Sequence, residues 1–200
     1  MEGFSWRQVI AIILIAGLSG CSGNSFYSNK NHDGHVEGIK YSAQAGDIIF
    51  SKGSGFISKA ILAYQNGFPY SHVAMVIERD GELWVIDSDI DEASGRDGVA
   101  ISNVSYYLRG HGVYRVYRNK NNFYQKYFRK LGDYSKKYDG KVFDIDLITK
   151  EHNKLYCSEL VAILLRSAVG EHDPENIGDS VIPPRAISDA AWSYGWRQVY

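Results

Sequence analysis

Residues 71–89, SHVAMVIERDGELWVIDSD, are two runs rich in Val, Ile and Trp joined by Asp80-Gly81. β-branched and aromatic residues suit a pleated, half-buried surface, so each run reads as a strand. An Asp-Gly pair supplies the positive-φ residues that a two-residue hairpin turn requires. With Arg79 paired to Glu82, the register sets Ala74 opposite Asp87 and His72 opposite Asp89. Opposed residues share a face, as do residues two apart, so His72, Asp87 and Asp89 project together. Asp87 is the diagonal neighbour of His72, at ~7–8 Å between Cα atoms, within reach of a side-chain hydrogen bond. Such a pair suits a general base with the carboxylate that orients it, and equally a structural hydrogen bond in a sheet. The hairpin alone leaves both readings open.

Further elements surround the hairpin. GDIIFSKG (46–53) reads as a buried strand, and GVYRVYR (112–118) as an alternating one. GFISKAILAYQNG (55–67), residues 121–140 and residues 156–170 carry apolar side chains at helical spacing, and Gly ends each segment. IPPRAISDAAWSYGWRQVY supplies a Pro turn, a short helix and a last strand. Strands cluster in the middle, with helices before and after. The expected class is α+β, an antiparallel sheet packed with helices.

The N-terminus reads as a signal peptide over residues 1–20. Arg7 precedes an uncharged apolar run, Val9–Leu18. That run is short of the ~20 residues that span a bilayer. Leu18-Ser19-Gly20-Cys21 resembles the lipobox of bacterial lipoproteins, which implies that Cys21 carries a diacylglyceryl group and becomes the mature N-terminus. Residues 21–44, rich in Ser, Asn and Gly, are expected to be the lipidated end and a flexible tether, with His32 and His35 as solvated linker residues. Residues 45–200 are then one domain. Ser22 follows the cysteine without the Asp that commonly retains lipoproteins at the inner membrane, so the outer membrane, periplasmic side, is expected in a two-membrane host. The expected partner is a membrane, through lipid. The net charge of −1 and the lack of a basic block argue against nucleic acid. Oligomeric state is not legible.

The chain has 2 cysteines. If Cys21 is lipidated, Cys157 is a free thiol in an exported protein, which marks it as a candidate reactive group; the alternative is a buried, inert cysteine. Cys157 stands at the head of the 156–170 helix, where exposed N–H groups and the helix dipole favour an anion. A cysteine there, facing a sheet histidine held by a third polar group, is the papain-type arrangement. Its backbone N–H is a natural oxyanion donor, and the hydroxyl of Tyr70 or Tyr156 is a candidate second one. No cofactor or metal is expected, although Cys157, His72 and Asp87 are admissible zinc ligands by type.

GDIIF, YSHVAMVI, LWVIDSD and YCSELV, in that order, resemble the YiiX/YaeF-like branch of the NlpC/P60 cysteine hydrolases, as does KKYDGKVFD. The resemblance runs from about Gly46 to Tyr200 and implies a circularly permuted papain-like fold in which the histidine strand precedes the cysteine helix. It implies Cys157 as nucleophile, His72 as base and Asp87 as the third residue. The family usually has Glu where Asp87 stands, so Asp89 is the fallback. Asp47 is expected to form a turn rather than act in catalysis. The implied activity is cleavage of an amide, in a peptidoglycan peptide or an N-acyl amino acid, through an acyl-enzyme at the cell envelope. The alternatives are a thiol acyltransferase or lipid hydrolase of the lecithin:retinol acyltransferase type, and a non-catalytic binding lipoprotein.

Overall fold

The computed structural model describes residues 30–200, apart from 54, 92–94, 111–113, 122–123, 148–151 and 179. Cys21 and the expected signal peptide lie outside the described residues. The chain runs α1 (Lys30–Ser42), β1 (Ile48–Ser51), α2 (Phe56–Tyr64), β2 (His72–Arg79), β3 (Glu82–Asp91) and β4 (Arg96–Asn103). It continues through α3 (Val104–Gly110), β5 (Tyr114–Asn119), α4 (Gln125–Ser135), α5 (Cys157–Ala168), α6 (Pro184–Ser193) and β6 (Trp196–Gln198).

The six strands form one sheet in the order β4-β3-β2-β1-β5-β6, and every neighbouring pair is antiparallel. Asp80 and Gly81 have φ of 54° and 79°, and Arg79 pairs with Glu82. These are the hairpin turn and register expected from the sequence. Alternation along the central strands sends side chains to both faces. Phe50, Met75 and Ile86 pack with α4, α5 and α6 on one side, while Ile49, Val76 and Val85 pack with α1 and α3 on the other. The sheet therefore has helices on both faces, and its central strands β1 and β2 are buried along nearly their whole length.

The tether expected through residue 44 is corrected by α1. Val36, Ile39 and Ala43 recur at helical spacing and join the apolar cluster under β1, β2 and β5, with Ile39 1% exposed. The helix end is tied down as well. Ser42 Oγ donates to Tyr200 Oη at 2.7 Å, and Arg118 donates to the Ser42 carbonyl at 2.5 Å. Burial of one apolar stripe, not intrinsic propensity, stabilises such a polar helix. Asp47 has the structural role expected of it. It accepts from the Gln44 N–H at 2.9 Å and from both Nε and a terminal nitrogen of Arg118 at 2.8 and 2.7 Å. That buried ion pair joins the start of β1 to β5.

Candidate active site

Cys157 is the first residue of α5 and is 4% exposed. Tyr156, in extended conformation (φ −94°, ψ 165°), is the N-cap. Its N–H faces the carboxylate of Glu159, three residues on, which is one half of a capping box. Glu159 also pairs with His152 Nδ1 at 2.9 Å, which ties the segment before the helix to its first turn. Burial pushes the Glu159 carboxyl up to about 7 against the opposing pull of His152. Ser88 Oγ donates to the Leu155 carbonyl at 2.5 Å and fixes the approach from β3. The local sequence thus starts a helix at Cys157 and anchors that start to the sheet.

His72 begins β2, and Gln65 sets the loop leading to it. This side chain, 3% exposed, donates to the carbonyls of Phe68 at 3.3 Å and of Tyr70, and accepts from the Arg185 N–H at 3.1 Å. His72 Nε2 meets Asp87 Oδ2 at 3.0 Å, which is the diagonal contact across the hairpin. The ring also shares a hydrogen bond with the Cys157 thiol. Burial opposes a charge on the ring, but the Cys157 sulfur and the Asp87 carboxylate outweigh it and hold His72 well above its ordinary range. Asp87 is fully buried. Burial alone would raise its carboxyl; the hydrogen bonds and charges of His72 and Arg96 hold it below the usual range. Thiol, imidazole and carboxylate are therefore contiguous, and the ring is poised to be cationic.

Arg96 is a residue that the sequence reading missed. It opens β4, and its guanidinium donates to Asp87 Oδ1 and, at 3.2 Å, to the Asp87 carbonyl. Asp87 thus places one oxygen on His72 and the other on Arg96. Behind the pair, the Tyr107 ring lies 6.3 Å from the imidazole, and its hydroxyl shares a 3.3 Å hydrogen bond with Ser51. Burial holds that phenol well above its ordinary range, so it stays neutral. Of the two tyrosines considered as oxyanion donors, Tyr156 accepts at its hydroxyl from the Ile182 N–H at 3.0 Å. Tyr70 packs among Phe50, Phe68 and Arg115.

His72, Asp87 and Asp89 offer ligand-type atoms within 4.8 Å of one another. The arrangement does not fit a divalent ion. Both oxygens of Asp87 already accept hydrogen bonds, and one of the donors is a guanidinium whose charge repels a metal. Asp89 turns Oδ1 to the Ile90 N–H at 2.9 Å.

A cleft with about 320 Å³ of empty space, part of it open to solvent, reaches Cys157. Ile61 and Tyr64 of α2, Phe143, Leu147, Val181 and Ile182 line it. The Ile182 wall is pinned at both backbone groups, because Ser158 Oγ donates to its carbonyl at 2.6 Å while Tyr156 takes its N–H. The lining is largely apolar, with Cys157 and Ser158 among its residues.

The sequence matches, over residues 42–188, the family of permuted papain-like amidase enzymes YaeF/YiiX, C92. The chain belongs to this family. The C92 family is one of papain-like cysteine hydrolases, and this member is a cysteine hydrolase of the amidase type. Among solved structures it is similar to the crystal structure of metalloprotein yiiX from Escherichia coli O157:H7. That match has a TM-score of 0.63 at 24% identity and covers 78% of this chain and 96% of that one. No curated protein sequence matches. The order of elements agrees with permutation, since the histidine strand β2 precedes the cysteine helix α5, with β3, β4 and β5 between them.

Proposed function

We propose that this C92 member hydrolyses an amide whose acyl part is apolar, with Cys157 as nucleophile, His72 as base and then acid, and Asp87 as the orienting carboxylate. The observation that carries the reading is the cleft. A largely apolar cleft has Cys157 in its wall, and that thiol shares a hydrogen bond with His72. The thiol proton moves to His72, and the Cys157 sulfur attacks the amide carbonyl carbon. The oxyanion takes the Cys157 N–H, which at the first position of α5 has no partner within the helix. His72 returns its proton to the leaving amine. Water, deprotonated by His72, then cleaves the thioester and releases the acid.

An apolar lining favours an N-acyl amino acid over a peptidoglycan peptide, whose polar groups would lose water there without replacement. The test is turnover of N-acyl amino acids of increasing chain length, muropeptides and phospholipids, with Cys157→Ala as the blank. kcat/KM is expected to rise about fourfold per methylene, ~0.8 kcal/mol each, until the cleft is full. A flat chain-length series, or a preference for muropeptides, would sink this reading. An added acyl acceptor that diverts product from acid to ester would show transfer at the same thioester.

The proposed setting is the cell envelope, with lipid on Cys21 as the anchor. Because α1 begins at Lys30, a tether after Cys21 would be short and the domain close to the bilayer. The mass of the mature N-terminus tests this, and an unmodified Cys21 would overturn it.

A further inference from the structure

Helix α2, FISKAILAY, is apolar at seven of its nine positions, yet none of its residues is buried. Phe56 is 54% exposed and Tyr64 43%. In another segment that lines the cleft, Val142 and Ile145 are 46% and 59% exposed on either side of the lining residue Phe143. Two segments that supply the lining of the cleft thus turn large apolar groups to solvent, and a cluster of exposed apolar side chains beside a cleft marks an interaction site.

Charge selects the partner. No Asp or Glu occurs between Asp47 and Glu78, whereas Lys52 and Lys59 do, and both lysines are exposed. Arg185, half-exposed, donates to the Asn66 carbonyl at 3.4 Å, just past the end of α2, and faces the exposed Asp189 at 3.9 Å, so the unopposed cations of this rim are the two lysines. Beside Ile145, Asp146 is exposed. Aromatic and aliphatic side chains flanked by lysines, on a short helix beside an apolar cleft, match an anionic lipid surface: the rings enter the headgroup region and the ammonium groups meet phosphate.

We propose that α2 is a bilayer-docking helix, laying Phe56 and Tyr64 into the interface of an anionic membrane so that the cleft opens toward the acyl chains. The docking stands on the surface itself. Feeding acyl groups to Cys157 rests on the function proposed above, and Ile61 and Tyr64, which both belong to α2 and line the cleft, link the two.

The test is hydrogen exchange of the full chain, read on peptides spanning residues 56–64. The protein is compared without vesicles, with neutral phosphatidylcholine vesicles, and with vesicles of mixed phosphatidylethanolamine and phosphatidylglycerol. The α2 amides are expected to exchange about tenfold more slowly on the anionic vesicles. Phe56→Ser/Lys59→Glu should abolish that slowing while protection of α5 stays unchanged, which shows the fold intact. Unchanged exchange in α2 when the chain is bound to anionic vesicles would overturn the proposal. So would protection that rises with protein concentration without lipid, which means a second copy covers the helix, or protection present in all three conditions, which means residues 1–29 do. The readout involves no turnover, so a protected α2 in an inactive enzyme would refute the amidase reading alone.

Discussion

Asp87→Asn is expected to lower kcat by about 10³–10⁴-fold with the fold retained. The carboxylate accepts from two donors at once, His72 on Oδ2 and Arg96 on Oδ1. An asparagine of the same shape has one acceptor oxygen. If that oxygen serves Arg96, the amide NH₂ points at His72 and imposes the wrong tautomer, which in a hydrolase triad costs about four orders of magnitude. Cys-His-Asn triads work in other papain-like enzymes, so the defect here lies in Arg96. The double variant Asp87→Asn/Arg96→Met should therefore recover much of the lost rate, because the amide oxygen is freed for His72. A double variant no better than Asp87→Asn would show that the arginine is not the cause. Asp89→Ala should stay within about tenfold of wild type, since the direct contact to Nε2 is made by Asp87.

The pH dependence separates the two partners of the carboxylate. Asp87 is among the groups that raise His72, so its neutral replacement moves the alkaline limb of kcat/KM to lower pH. Arg96→Met acts in the opposite sense. It leaves Asp87 with one cation instead of two, so the carboxylate holds imidazolium more firmly and the limb stays or moves up. A downward shift in both variants would mean that Arg96 acts on the ring by another route.

The hairpin and the cysteine helix were legible because their signals are local. Asp80-Gly81 fixes a turn, the turn fixes the register, and the register puts Asp87 beside His72. The helices around residues 56, 125, 157 and 184 follow from spacing and Gly or Pro punctuation. α1, β4 and α3 were not legible. In α1 the apolar stripe is only Val36 and Ile39, interrupted by Gly38 and followed by Ala43 just past the helix, and it gains meaning from Val199 and Tyr200 at the far end of the chain. In β4, Gly98 and the polar start Arg96-Asp97 hide a strand whose buried residues are Gly98 and Val99. Arg96 was invisible for the same reason. Its reach to Asp87 depends on β4 pairing with β3, Asp91 opposite Arg96, which no local pattern announces.

Gly98→Ala should be among the most damaging conservative changes outside the site, lowering Tm by on the order of 10 °C. Gly98 has φ of 114°, and a methyl group there would stand 2.0 Å from the Lys141 carbonyl oxygen and 2.8 Å from the Phe143 nitrogen. These are backbone atoms with no rotamer to yield. Lys141 accepts from the Val99 N–H at 2.7 Å, and the Val99 carbonyl accepts from the Gly140 N–H at 2.9 Å, so the segment is held against β4 from both sides. Overpacking and a forbidden φ together cost on the order of 3–5 kcal/mol, and each kcal/mol shifts the Tm of a domain this size by about 2–4 °C. The damage should also reach the cysteine. Val142 bridges to Lys154 and accepts from the Leu155 N–H at 3.0 Å, two residues before Cys157, while Phe143 lines the cleft. Activity at a temperature where Gly98→Ala remains folded should therefore drop as well. Gly95→Ala separates strain from clash, since Gly95 has φ of 70° and nothing within 4 Å of a new methyl group. It should cost only about 1 kcal/mol, the ordinary penalty of a left-handed residue. Equal losses of Tm in the two variants would mean that the 140–143 segment moves aside freely, and that its packing on β4 does not hold the wall of the cleft.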